Sequence, residues 1–127
     1  MSTDSIFGEV IYSYTRTQAI EDGVLVDVSE TAAELGFRVP VAVTVAVWGR
    51  CVAWEGEEAG QDEKGRLWDV LWIARLATRG AKEQSQVDYI LRVVQADQKV
   101  EHVELKMHIG PGDEGEPVIT ILMANED

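Results

Sequence analysis

The sequence predicts an α+β fold: a C-terminal three-stranded antiparallel meander packed against helices, with an N-terminal strand and short helices before it. Three observations predict it. In Val103-Glu104-Leu105-Lys106-Met107-His108-Ile109 every odd residue is apolar and every even one polar, the period-two pattern of a strand with one wet face. Runs of similar character at 87–95 and 118–123 flank it, each separated from it by a turn-rich segment. Upstream, Leu67, Val70, Leu71 and Ala74 recur at helical spacing within 66–79.

From the N-terminus, Ile6-Phe7-Gly8-Glu9-Val10-Ile11-Tyr12-Ser13-Tyr14 is rich in β-branched and aromatic residues and predicts an extended segment or first strand. Thr15 offers an N-cap hydroxyl to a short helix over 16–22 that stops at Gly23. A strand follows at 24–28. Ser29 is the next expected cap, for a helix through Ala32, Ala33 and Leu35 that ends at Gly36. Ile20, Val24, Leu35 and Phe37 would close a small core around these turns.

Val39-Pro40-Val41-Ala42-Val43 stays open between strand and helix start, because Pro40 argues against a central strand. A helix is expected from about Thr44 to Trp54, with Val45, Trp48 and Cys51 or Val52 as its apolar stripe and Gly49 among them, although the Val-rich composition also allows a strand at its beginning. The polar, Gly-containing stretch 56–65 predicts a mobile loop. The helix over 66–79 should be largely buried, Trp68 and Trp72 included, and Gly80 ends it. In the meander, Val87, Tyr89, Leu91 and Val93, then Val103, Leu105, Met107 and Ile109, then Ile119, Ile121 and Met123 form one apolar face.

A length of 127 residues suits a single α+β domain spanning 1–127. No apolar run is long enough to span a bilayer, and the start lacks a basic region followed by an apolar stretch, so a cytoplasmic protein is expected. Cys51 is the sole cysteine, which excludes an internal disulfide and a thiolate-rich zinc site within one chain; a small buried hydrophobe is its expected role.

The formal net charge is −12, from 23 acidic and 11 basic residues. Such a surface repels phosphates, which argues against direct nucleic-acid binding, and it attracts basic protein surfaces. The alternative is that the charge serves solubility alone. Two acidic runs carry the candidate partner-binding residues: Glu55, Glu57, Glu58, Asp62 and Glu63, bordered by Trp54, and Asp113, Glu114 and Glu116. Trp54 divides between core and exposed anchor. Trp68 and Trp72, one helical turn apart with Arg75 and Arg79 continuing the stripe, would anchor an interface only if left exposed.

Catalytic and metal sites find little support. His102 and His108 share a strand face but lie about 20 Å apart at the rise of a strand, too far to hold one ion. No serine or threonine has a histidine partner fixed by spacing, and no phosphate-binding glycine motif occurs. Gly110-Pro111-Gly112-Asp113-Glu114-Gly115-Glu116-Pro117 lacks calcium-hand spacing and would repel a nucleotide. No cofactor or metal is expected.

The phrases Ile6-Phe7-Gly8-Glu9-Val10-Ile11-Tyr12-Ser13-Tyr14-Thr15-Arg16, Gln18-Ala19-Ile20-Glu21-Asp22-Gly23-Val24-Leu25-Val26-Asp27-Val28-Ser29, Gly65-Arg66-Leu67-Trp68-Asp69-Val70-Leu71-Trp72 and Ile109-Gly110-Pro111-Gly112-Asp113 resemble a family of small uncharacterised bacterial proteins of unknown function. The likeness covers nearly the whole chain. It implies carriage on plasmids, integrative elements and prophages, and it implies no activity for any residue. Two functional classes follow. The first is a non-enzymatic binding protein, monomer or homodimer, whose acidic surface occupies a basic site on a host protein, as anti-restriction and anti-CRISPR decoys do. The second is an enzyme of unrecognised type with a pocket near Arg16, Asp27, Asp69 and the loop 110–117.

Overall fold

The computed structural model describes residues 14–54, 62–80, 84–95 and 97–126. The expected first strand at Ile6 to Tyr14 lies, save for Tyr14, outside the described residues. Helix α1, Arg16–Glu21, begins as its sequence requires: the Thr15 hydroxyl accepts from Gln18 N at 3.0 Å while Gln18 Oε1 accepts from Thr15 N at 2.9 Å, a complete capping box. Gly23, at φ +78°, supplies the left-handed residue that turns the chain into strand β1, Leu25–Asp27.

Helix α2, Ser29–Glu34, departs from expectation at its start. Val28 is the N-cap and gives no side-chain bond; Ser29 is already helical, and its hydroxyl donates to Asp27 Oδ1 at 2.6 Å and accepts from Val41 N at 3.0 Å. Ser29 thus ties the turn to the next strand. The small core expected around Ile20 and Val24 is not formed, since Val24 is exposed; Leu35 and Phe37 pack instead against the main core beside Ala32.

Strand β2, Val41–Thr44, corrects two expectations. It is fully buried and central, and the expected helix over 44–54 shrinks to α3, Val45–Val47, continued by a π-helical turn, Trp48–Val52. Pro40 is compatible with this because it stands at the strand's threshold, where its missing N–H is not needed and its carbonyl accepts from Ile119 N at 2.9 Å. Thr44 then caps α3, accepting from Val47 N and donating to Glu126 Oε1 at 2.7 Å.

Helix α4, Glu63–Ala77, runs into a 3-10 turn, Thr78–Gly80, and starts three residues earlier than expected, with Asp62 as its N-cap accepting from Gly65 N at 2.6 Å. Part of the expected loop 56–65 is therefore helix; residues 55–61 lie outside the described set. Strands β3, Gln86–Val94, β4, Val100–Pro111, and β5, Pro117–Met123, form the expected antiparallel meander. The five-stranded sheet has the order β1-β2-β5-β4-β3 and is mixed, because β2 joins β5 in parallel, pairing Val41 with Ile119 and Val43 with Ile121.

One sheet face carries the core. Cross-strand pairs Val87 with Met107, Tyr89 with Leu105, and Met107 with Ile121 set the apolar residues in rows, and α4 lays Leu67, Val70, Leu71 and Ala74 on them. Those four residues span one stripe of α4. Trp68 and Trp72 each follow a stripe residue by one position, a rotation of about 100° about the helix axis. They are accordingly 38% and 43% exposed, against the expectation of burial. Leu71→Ala is expected to cost about 2–5 kcal/mol of unfolding free energy in urea titrations. Trp72→Ala, although it deletes a larger side chain, is expected to cost clearly less; the reverse order would refute this orientation of α4.

Candidate functional site

The predicted acidic residues divide by what they touch. Asp113 serves α1: its carboxylate accepts from Arg16 N at 2.7 Å, Thr17 N at 3.0 Å and the Thr17 hydroxyl at 2.7 Å, binding the β4–β5 loop to the first turn of the helix. The Thr17 hydroxyl, then the two backbone N–H groups, hold this carboxyl below the usual carboxylate range. Glu116 folds back over Gly112, where a Cβ would lie 2.7 Å from its carboxylate, and accepts from Glu114 N at 2.9 Å. A Cβ at Gly112 would push aside the end of that exposed, flexible side chain.

On the other layer, Asp62 caps α4 and Glu63 Oε2 accepts from Trp54 N at 3.3 Å. Trp54 is half-buried beneath Arg66, whose guanidinium carbon lies 4.9 Å from the ring centroid; the indole N–H is buried with no acceptor among the described residues. Trp54 is therefore packed against its own chain. Glu55, Glu57 and Glu58 lie outside the described residues.

Arg66 is a residue that sequence reasoning missed. It is 7% exposed and donates from Nε to the Val52 carbonyl at 3.1 Å and from Nη1 to the Val94 carbonyl at 2.8 Å, joining the π-helical turn, α4 and the end of β3. No local pattern marks it, because its partners are carbonyls on distant elements. Cys51 lies buried nearby, and burial pushes its thiol up to about 11, so it is a protonated, unreactive group at neutral pH.

The residues of the enzymatic alternative converge in part. Arg16 lies on the sheet face opposite α4, donating from Nη1 to Thr120 Oγ1 at 2.6 Å and from Nη2 to the Ile119 carbonyl at 2.7 Å. Burial pulls its pKa down, opposed by the nearby charges of Asp27, Asp113 and Glu116. A cavity of about 280 Å³ beside it is lined by Tyr14, His108 and Thr120 among others. Asp69 is not part of this group; it lines a small recess on the α4 side with Cys51 and Arg66. A wider groove of about 520 Å³ runs along the Arg16 side of the sheet between β3 and β4, walled by Asp88, Ile90, Glu104 and Lys106. His108 Nε2 meets Gln86 Oε1 at 3.1 Å, while His102 lies opposite Arg92 in the strand register, farther along. No group of three or more His, Cys, Asp or Glu placed to hold a metal ion occurs among the described residues.

Two sets of exposed side chains stand out. One is acidic: Glu21, Asp22, Asp27, Glu30, Glu34 and Glu114 are exposed on α1 and its C-cap, β1, α2 and the capping loop, with Asp22 accepting from the Tyr14 hydroxyl at 2.7 Å and Asp27 from Ser29, and Arg16, the sole cation between residues 14 and 37, is half-buried. The other is apolar: Trp68, Trp72 and Leu76 recur every fourth residue along the outside of α4, with Lys64 exposed on the same helix and Arg79 on the 3-10 turn that follows it.

A family model described as a family of unknown function matches residues 4–127. The chain belongs to that family, DUF6573. No curated protein and no solved structure matches it. The sequence resemblance to a family without known activity is thereby established, and the DUF6573 chain takes no residue role from it. Among the described residues no helix is long and apolar enough to cross a membrane.

The Asp113 geometry yields a pH test. A carboxyl whose folded pKa is lowered adds stability that is fully present above its unfolded value, near about 3.9, and is lost as pH falls through the lower folded value. Asp113→Asn should therefore lower Tm at neutral pH, and the gap to wild type should narrow as thermal scans move below about pH 4. A gap independent of pH would contradict the capping role.

Proposed function

We propose that this chain is a small, acidic, non-enzymatic binding protein that docks on the basic surface of a protein partner. A nucleic-acid-binding or defence protein of the host is the class of partner whose surface fits, so that the chain would act as a decoy for the anionic ligand, in the manner of anti-restriction and anti-CRISPR proteins. Carriage on a mobile element, and work in the cytoplasm, would accord with that role.

One observation carries the reading. The carboxylates of α1, β1, α2 and the loop capping α1 stand in solvent while Arg16, the cation among them, spends two of its donors on Thr120 and Ile119. Within a net charge of −12 this leaves a surface free to attract cations at long range. Charge of this kind sets the encounter rate more than the lifetime of a complex. The exposed Trp68 and Trp72 supply the complementary element, a desolvating anchor of the residue types that dominate binding hot spots. The polar groups of the enzymatic alternative support it less well, since Arg16 and Asp113 are occupied in holding α1 to the sheet and loop.

The test is capture from an extract of the host on the immobilised chain, followed by kinetics with the purified captured protein. The captured protein should present a basic surface, and its association should slow steeply with added salt. E30Q/E34Q/E114Q should slow association and flatten that salt dependence, and W68A/W72A should speed dissociation by at least about tenfold. Association indifferent to salt and to the carboxylate changes would overturn the acidic-surface reading.

A further inference from the structure

Strand β3 stands at one end of the sheet, next to β4 alone among the described strands. Two hydrogen bonds fix which way its backbone groups point. Ile109 N donates to the Ser85 carbonyl at 2.8 Å and Gln95 N to the Lys99 carbonyl at 2.9 Å, so the odd residues of β3 turn their N–H and C=O toward β4 and the even ones turn theirs outward. The Val94 carbonyl agrees, being taken from outside by Arg66. The outward groups of Asp88, Ile90 and Arg92 meet no partner among the described residues. The strand is nine residues long, without proline, glycine or lysine, and Ile90 at its centre is 60% exposed. Soluble proteins seldom leave such an edge bare.

The sequence of this edge is self-complementary. In Val87-Asp88-Tyr89-Ile90-Leu91-Arg92-Val93 the charges lie two residues either side of Ile90 and have opposite sign. We propose that β3 pairs antiparallel with β3 of a second copy of this chain about a two-fold axis through Ile90, joining the two sheets edge to edge. In that register Asp88 faces the partner's Arg92, Arg92 faces the partner's Asp88, and Ile90 faces its own counterpart. The outward N–H and C=O of these residues exchange about six backbone hydrogen bonds. On the core face, Val87 meets the partner's Val93 and Tyr89 the partner's Leu91, so the apolar rows continue across the axis. Other registers lose this match. A shift by two residues sets Asp88 against Ile90 or Val94, and a shift by four sets Asp88 against Asp88 or Arg92 against Arg92. Within the chain, Asp88 already lies beside Lys106 and Gln86, and Arg92 beside His102, all on its own side of the edge; the free side of each is what a second copy fills.

Sedimentation equilibrium on the full chain tests this, with D88R, R92D and their equimolar mixture beside wild type. Wild type should dimerise with a concentration-dependent constant. Each single variant sets like charges opposite one another twice and should self-associate at least about tenfold more weakly, while melting cooperatively as a folded protein. The mixture should regain a dimer, of mixed composition, because two arginines of one strand then meet two aspartates of the other. A wild-type chain that is monomeric at every concentration overturns the proposal, and so does a dimer indifferent to both reversals. Amide exchange separates the remaining occupant: a monomer with slowly exchanging Ile90 and Arg92 amides would mean that a segment of the same chain covers the edge, which also overturns it.

Discussion

The rotation of α4 about its own axis is the constraint on which the other features depend. The helix carries two apolar stripes, and only one can lie on the sheet. Leu67, Val70, Leu71 and Ala74 fill that place, and Arg66, next to Leu67, is then carried inward to the carbonyls of Val52 and Val94. A guanidinium buried against carbonyls and an indole face is held by directional bonds, so it fixes the helix in rotation as well as in position. The same rotation sends Trp68, Trp72 and Leu76 outward. Packing on the sheet and an exposed aromatic stripe are therefore one event seen from two sides.

The second layer is organised by polar groups in place of apolar ones. α1 is too short to bury a large stripe, and Ala19 is its buried residue. What holds it is Arg16 on β5 and Asp113 on its first turn, a cation and a carboxylate each satisfied by several partners. This arrangement engages half-buried Arg16, the one cation between residues 14 and 37, while the carboxylates of α1, β1 and the capping loop stay exposed. The acidic surplus on this layer thus follows from how α1 is anchored, in addition to the overall surplus of Asp and Glu.

What could be read in the sequence was what is local. The meander and its apolar face follow from alternation within each strand, and the start of α1 from Thr15 and Gln18 three residues apart. What could not be read depends on distant partners. The Asp113 bonds to Arg16 and Thr17 span most of the chain, and nothing near Asp113 distinguishes it from Glu114. Pro40 argues against a strand interior, but the rule does not apply at a threshold, and the parallel pairing of β2 with β5 has no local signature. Asp62 is the exception: an Asp three residues before Gly65 and a helical run is a capping signal that was available, masked by the polar composition around it. The exposure of Trp68 and Trp72 has no local signature, because a helix with apolar residues on several faces does not declare which face is covered.

Solvent exposure of the four indoles measures the orientation of α4 most directly. With the tryptophan rings isotopically labelled and assigned by single substitution, a soluble paramagnetic chelate should broaden the ring resonances of Trp68 and Trp72 strongly and those of Trp48 and Trp54, which are packed against the chain, much less. Equal protection of all four rings, or stronger broadening of Trp54 than of Trp72, would contradict the placement of α4, and with it the exposed stripe and the buried Arg66.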